Sequence, residues 1–420
     1  MAPLKSAKDL SKSMRVFLIL FISIGGWSVY SLYSLRKVFY SDFINFLNIT
    51  NTQFGDLVSI WGIACMICYI PGGILGDKIR MKYLAPLGLF CTAGAIFWFI
   101  SAPSYSALCL MYIAYGISTG LIFWSCRYKI IRMISANEKE YNKNIGWSYC
   151  VWAITGVVLS SLLVYILTKI PGNIGLISVL TACAVINIIL ALCGIIFIPK
   201  FALELETKQQ KIWHLDNFKT AIKNPGIILS SLAMFFIYSI YTSQYITTVF
   251  LENAFLASGV LVGITGTIRN YGVNTISDPI MGYLGKRFKA SNVLIAANLI
   301  MIILMTIMTL LPREAAFATI VAILIIIYAF CMNGSYCISS ALLTECQIPE
   351  NIFGTVVGIY SFVGFSPDVI IHPIVGRIMD QCGAKAYTYI NLLMLGCSIC
   401  AVISIVLLII YLKKAAKIKN

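Results

Sequence analysis

Runs of apolar residues long enough to cross a bilayer recur twelve times in this chain of 420 residues. A spanning helix needs about 20 mostly apolar residues. It must also bond all its own backbone groups, because the hydrocarbon offers no water. The runs occupy 15–40, 54–76, 83–101, 105–129, 145–168, 174–198, 226–250, 257–284, 291–311, 316–340, 352–379 and 387–412. Short turns such as Ala102-Pro103-Ser104, Ile170-Pro171-Gly172 and Pro312-Arg313-Glu314 separate most of them. Residues 200–225 differ, carrying Lys200, Glu204, Glu206, Lys208, Lys211, Asp216, Lys219 and Lys223. They read as a cytoplasmic central loop between a first six-helix bundle (1–199) and a second (226–420). The expectation is an all-α membrane protein of twelve transmembrane helices in two six-helix bundles.

Composition closes off the other classes. The chain is 60% hydrophobic and 11% charged, where a soluble domain carries about 25% charged residues. Such a chain has too little polar surface for a soluble enzyme and too much apolar mass for disorder. The net charge of +15 would point a soluble protein toward nucleic acid. Here its distribution argues otherwise, and no nucleic-acid partner is expected. With the N-terminus inside, 24 of the 31 Lys and Arg residues fall on inner segments. Only Arg36, Lys37, Lys169, Arg313, Arg377 and Lys385 lie on the outer side, with Arg269 in mid-helix. Basic residues concentrate on the cytoplasmic side of membrane proteins. Both termini are therefore expected in the cytoplasm, with the bilayer a cell (inner) membrane. Lys5 to Arg15 is a basic stretch ahead of an apolar run. No small-x-small cleavage site follows, so the run reads as the first membrane helix.

Cofactor chemistry is not expected. Cys65-Met-Ile-Cys68 and Cys397-Ser-Ile-Cys400 have redox or zinc spacing, but they sit in apolar runs without partners and read as packing residues. His214 and His372 are the only histidines. There is no P-loop, nucleotide fold or catalytic triad, so the chain reads as no enzyme and as no user of ATP.

The second and eighth runs end alike. One reads Pro71-Gly-Gly73-Ile-Leu75-Gly76-Asp77-Lys78-Ile-Arg80-Met-Lys82, the other Pro279-Ile-Met-Gly282-Tyr-Leu284-Gly285-Lys286-Arg287-Phe-Lys289. Both are Gly-x-Leu-Gly followed by basic residues, at one place in each half, as an internal repeat requires. The first resembles the helix 2–3 loop signature of the major facilitator superfamily, matching at Gly73, Leu75, Asp77, Lys78 and Lys82, with Arg80 where Gly is usual. The resemblance implies two six-helix bundles around a central cavity, rocking about a midplane site. It also implies a gate role for Asp77, Lys78 and Lys82. Tyr33-Ser-Leu-Arg36-Lys37-Val-Phe39 resembles the Y-x-x-R-K-x-F segment of the organophosphate–phosphate antiporters, the glycerol-3-phosphate transporter-like group. There the Arg matching Arg36 faces the pore and holds phosphate. Those antiporters carry a second substrate Arg in helix 7. This chain has none there and carries Arg269 in helix 8, which is more similar to the oxalate–formate and nitrate porter branches.

Charged residues at mid-membrane cost about 2.5–3.5 kcal/mol each on insertion scales and normally face a cavity or a partner. Arg269 lies about 12 residues, or roughly 18 Å, from the outer end of its helix. It reads as an anion anchor or a structural ion-pair member; the planar guanidinium suits carboxylate or phosphate. Arg36 and Lys37 are adjacent, so on a helix they point about 100° apart and only one faces the pore squarely. The family match favours Arg36. The stripe Tyr30, Tyr33, Lys37 and Tyr40 favours Lys37, and an interfacial anchor is the other reading. Asp368 and His372 share one helix face at i, i+4. They read as a proton-coupling pair or a static one. Tyr33, Tyr241, Gln244, Tyr245, Asn270, Asn274, Asn333, Ser335 and Tyr336 are candidate cavity-lining groups. Trp124, Trp147 and Trp152 read as packing or interfacial residues. Arg127, Asp278 and Glu345, near the inner ends of their helices, read as gate charges.

The sequence is read as a secondary transporter, a monomer, for a small organic anion (carboxylate or phosphate or sulfonate ester), working by alternating access. The co-transported species would be protons, taken through Asp368 or His372, or a counter-anion. The competing reading is a transporter-like membrane sensor of an anion. A central loop of 26 residues and a tail from Lys413 to Asn420 leave it little signalling surface.

Overall fold

The computed structural model describes residues 9–136, 138–170, 172–201, 222–346 and 350–419. Twelve helical spans follow one another. They are α1 (Lys12–Val29, Ser31–Leu35 and Tyr40–Leu47), α2 (Asn51–Lys78), α3 (Met81–Ile100), α4 (Tyr105–Met133), α5 (Glu138–Lys169) and α6 (Asn173–Phe197). After the central loop come α7 (Pro225–Thr242 and Tyr245–Phe255), α8 (259–288), α9 (Ala290–Leu310), α10 (Ala315–Ile338), α11 (Glu350–Phe365 and Pro367–Gln381) and α12 (Ala386–Lys419). Among the described residues, ten spans are long and apolar enough to cross a membrane; α2 and α8 are the two other long helices. The chain divides into two compact units, Met1–Lys208 and Gln209–Asn420, and the central loop lies almost wholly outside the described residues.

Local chemistry sets the helix ends. Asn48 leaves α1 in the left-handed conformation (φ 49°). Thr50 and Gln53 then open α2 with reciprocal side-chain-to-backbone bonds of 3.1 and 3.0 Å, satisfying two orphan donors. Asn224 caps α7, its Oδ1 accepting from the Gly226 N–H at 2.9 Å, and Pro225 takes the first helical position, where its missing N–H is harmless.

In the first unit Phe21 and Ile22 of α1, Leu84 and Leu89 of α3, Phe123 and Ile130 of α4 and Ala191 of α6 form one buried cluster. Gly194 lets α6 close on it, since a Cβ there would stand 2.9 Å from both the Phe21 and Pro86 rings. In the second unit Ile227, Met234 and Tyr238 of α7 pack with Leu343, Val356, Ile359 and Tyr360. Outward, α5 shows Ile154, Val158, Leu162 and Tyr165, all more than half exposed at one-turn spacing. A stripe of that kind belongs against lipid. The chain is a multi-pass integral membrane protein.

Three spans are broken where the sequence reading has them continuous, and a fourth is longer. α1, read as continuous over 15–40, is interrupted at Tyr30 and ends in a turn at 36–39. α7 breaks at Ser243–Gln244, and α11 at Ser366 ahead of Pro367. α12 runs to Lys419, beyond the apolar run that ends at 412. Two π turns interrupt α4 (Ile117–Phe123) and α8 (Ile268–Gly272). Such turns often mark functional sites, and the second contains Arg269.

Candidate functional site

In the first unit the site is built around the broken α1. A regular helix would bond the Tyr33 N–H to the Val29 carbonyl, four residues back. Here the Tyr115 hydroxyl of α4 inserts between them. It accepts from the Tyr33 N–H at 3.3 Å and donates to the Val29 carbonyl at 2.9 Å. Insertion of a side chain into the backbone ladder is a recognised cause of kinks, and a fully bonded phenol leaves neither backbone group orphaned.

The broken helix corrects the geometry expected of Arg36 and Lys37. Helix ends at Leu35, so the two lie in a turn rather than about 100° apart on a helix. Both are buried, at 1% and 5% exposure, and both address the Tyr33 ring. The Arg36 guanidinium lies 4.4 Å and the Lys37 ammonium 5.0 Å from its centroid, within cation–π range. Tyr33 in turn stacks on Trp61 of α2 at 4.3 Å. The Trp61 Nε1–H donates to Thr119 Oγ1 in the π turn of α4 at 3.1 Å.

Trp61 was no candidate in the sequence, because one Trp inside an apolar run reads as packing. Trp124 and Trp152 were set aside for the same reason. Yet Tyr30 meets Trp61, Trp124 and Trp152 at 5.9–6.2 Å. Arg127, read as a gate charge, is buried against the Tyr149 and Trp152 rings at 4.1 and 4.4 Å, and its Nη2 lies 3.4 Å from Ser148 Oγ. Trp147, 55% exposed, does face outward.

The second unit assembles its groups on the broken α7. Arg269 is fully buried, and its Nη1 donates to the Gln244 carbonyl at 2.8 Å and to Thr247 and Thr248 Oγ1 at 3.0 Å each. The Gln244 carbonyl, at the break, also accepts from the Thr247 N–H at 3.1 Å and the Thr247 hydroxyl at 2.7 Å. Asn333 of α10 donates to the Arg269 carbonyl at 3.2 Å and to the Ala329 carbonyl at 2.9 Å. Its role there is to hold the backbone of the π turn. On the other side of the break, Tyr238 and Thr242 donate to Asp368 at 2.8 and 2.5 Å. Thr242 Oγ1 also lies 3.0 Å from His372 Nε2, and His372 lies 3.5 Å from Asp368. Tyr238 and Thr242 were absent from the sequence-derived candidates, since neither a hydroxyl nor a Tyr in an apolar run announces a partner 130 residues away. Tyr241 and Tyr336 stack at 4.2 Å. Asn270 is buried and Asn274 half-buried.

The remaining gate candidates are scattered. The Asp77 side chain lies outside the described residues. Lys78 is exposed and Lys82 half-buried. Near Lys78, at the end of α2, Lys129 of α4 donates to the Gly76 carbonyl at 2.5 Å. Asp278 accepts from Ser277 at 3.0 Å. Glu345 accepts from the Ser291 N–H at 3.0 Å, which puts a carboxylate on the positive N-terminal end of α9.

The family described as the Major Facilitator Superfamily matches residues 16–371. The inner membrane protein YqcE of Escherichia coli (strain K12) is 24% identical over 385 residues, which cover 89% of each chain. The crystal structure of the nucleoside transporter NupG superposes with a TM-score of 0.72 at 15% identity, covering 94% of this chain and 99% of that one. A bacterial homologue of the human lysosomal transporter Spinster, solved inward-facing and unoccupied, gives a TM-score of 0.72 at 15% identity over 97% and 99%. These structural likenesses establish the fold.

Proposed function

The chain belongs to the Major Facilitator Superfamily, and from that premise we propose that it is a secondary transporter for a small organic anion, coupled to protons and working by alternating access. One observation carries the choice of cargo. Among the described residues, the buried ionisable side chains other than Cys and Tyr are Arg36, Lys37, Arg127, Arg269 and His372 on the basic side and Asp368 on the acidic side. Arg cannot shed its proton, and its planar fork suits carboxylate and phosphate. An anion binding near Arg36 or Arg269 would gain charge-assisted hydrogen bonds that a neutral solute cannot match. The likeness of Tyr33–Phe39 to the organophosphate–phosphate antiporters supports the same cargo, a carboxylate or a phosphate or sulfonate ester. Asp368 and His372 serve as the proton carriers in this reading. The membrane is an inner membrane, with both termini cytoplasmic.

The test is uptake into liposomes containing the purified protein, across monocarboxylates, dicarboxylates, phosphate esters, nucleosides and neutral sugars. The expected result is saturable uptake of one anion class, accelerated when the outside is made acidic. Uptake of neutral solutes alone, unmoved by a pH gradient, would overturn the proposal.

A further inference from the structure

Thr242 occupies a position that its own chemistry makes informative. It is the last helical residue before the break in α7, and its single oxygen is shared between two titratable groups: Asp368 Oδ1 at 2.5 Å and His372 Nε2 at 3.0 Å. A hydroxyl carries one hydrogen. With that hydrogen directed at Asp368, the contact to His372 exists only if Nε2–H donates to Thr242. With the hydrogen directed at His372, the contact to Asp368 exists only if the carboxyl is protonated and donates. The two hydrogen-bond chains are mirror images, and the side chains need not move to exchange them.

We propose that Thr242 is a proton relay between His372 and Asp368, a positioning residue that sets the tautomer of the histidine. In the relay, the Nε2–H bond of His372 breaks as its proton joins Thr242 Oγ1. The original Thr242 O–H bond breaks as that proton joins Asp368 Oδ1. An imidazolium–carboxylate pair becomes a neutral pair, and Thr242 ends as it began. The groups facing this pair are consistent with it. From α7, Tyr238 donates to the second oxygen of Asp368 at 2.8 Å, and the Tyr245 ring lies 5.7 Å from the His372 ring. α12 also packs on Pro367–Gln381. Arg269, on α8, holds the other side of the same break through the Gln244 carbonyl. The relay therefore sits on the segment that also seats the anion anchor. The inference deepens the proton-coupled reading above and rests on it for its role in transport, but its geometry can be tested without any cargo.

The experiment is nitrogen NMR of the full-length protein in nanodiscs with 15N-labelled histidine. His214 and His372 are the only histidines, so a His214→Gln variant assigns the signals. The expected spectrum above the histidine's titration shows His372 as a single Nε2–H tautomer. Thr242→Val should give a mixture of tautomers and a shifted His372 titration while leaving His214 unchanged. Thr242→Ser should restore the wild-type spectrum, which separates the hydroxyl's role from packing. A bare Nε2 in the wild type above that titration, or a His372 spectrum and titration identical in Thr242→Val, would overturn the relay. If the relay stands and uptake ignores pH, the proton-coupled reading falls alone.

Discussion

In the first unit a phenol bridges the broken backbone of α1; in the second a guanidinium sits on the break in α7. Tyr115 bridges Val29 and Tyr33 with one neutral hydroxyl. Arg269 reaches the Gln244 carbonyl and two threonines with Nη1. Neutral groups serve the backbone in both halves, since the Gln244 carbonyl also accepts from the Thr247 N–H at 3.1 Å and the Thr247 hydroxyl at 2.7 Å. A buried guanidinium is a costly way to close a helix break, because desolvating a charge takes several kcal/mol. Closing the break therefore does not account for the charge of Arg269, and the positive charge itself is what the second unit retains. The first unit keeps its charges apart from its break, on the turn at Arg36 and Lys37, against an aromatic face. Charge stands apart from the bridged break in one half and sits on the break in the other.

That contrast predicts a graded set of outcomes. The largest belongs to Arg269→Gln, which removes charge and bridge together. Hydrogen bonds to charged groups contribute about 1.5–3 kcal/mol, so calorimetry should show anion affinity falling by about ten- to more than a hundredfold. Arg269→Lys should fail to rescue it, because an ammonium lacks the planar fork. Next come Arg36→Gln and Lys37→Gln. Since both lie on the turn and address Tyr33, each should weaken anion binding by about tenfold, or 1.4 kcal/mol. A silent Lys37→Gln would mean that the helical geometry governs after all. Tyr115→Phe should then cut stability by about 1–3 kcal/mol in chemical unfolding, by orphaning the Val29 carbonyl and the Tyr33 N–H, with anion affinity unchanged. A large loss of affinity there would erase the distinction between the halves. The smallest effect is expected from Trp61→Phe. It removes the bond to Thr119, worth about 0.5–1.5 kcal/mol of stability, and leaves the stack on Tyr33 in place.

The sequence made the architecture legible because membrane helices are written in long runs. Twelve apolar segments, a polar divide at 200–225 and the basic loops required nothing from tertiary structure. Arg269, Asp368 and His372 stood out for the same reason, as ionisable residues inside apolar runs. What stayed hidden depends on contacts across helices. The turn at 36–39 carries no glycine or proline to announce it, and the hydroxyl that interrupts α1 comes from Tyr115, 82 residues downstream of the N–H it accepts from. Thr242 and Trp61 are ordinary residues in apolar runs until their partners on α11 and α4 are placed. Arg127 is read as a gate charge from its position along α4, and position alone does not reveal the two aromatic rings that cover it.

The most direct measurement is ligand-induced thermal stabilisation of the purified protein, with wild type and Arg269→Gln side by side. The ligands would span carboxylates, phosphate esters, nucleosides and neutral sugars. A ligand at about 100 times its dissociation constant stabilises the folded state by about 2.7 kcal/mol, a shift readily seen. The expected result is stabilisation of wild type by one class of organic anion, lost in Arg269→Gln. Stabilisation by neutral solutes only, equal in both proteins, would make Arg269 a structural bridge like Tyr115 and contradict the anion reading.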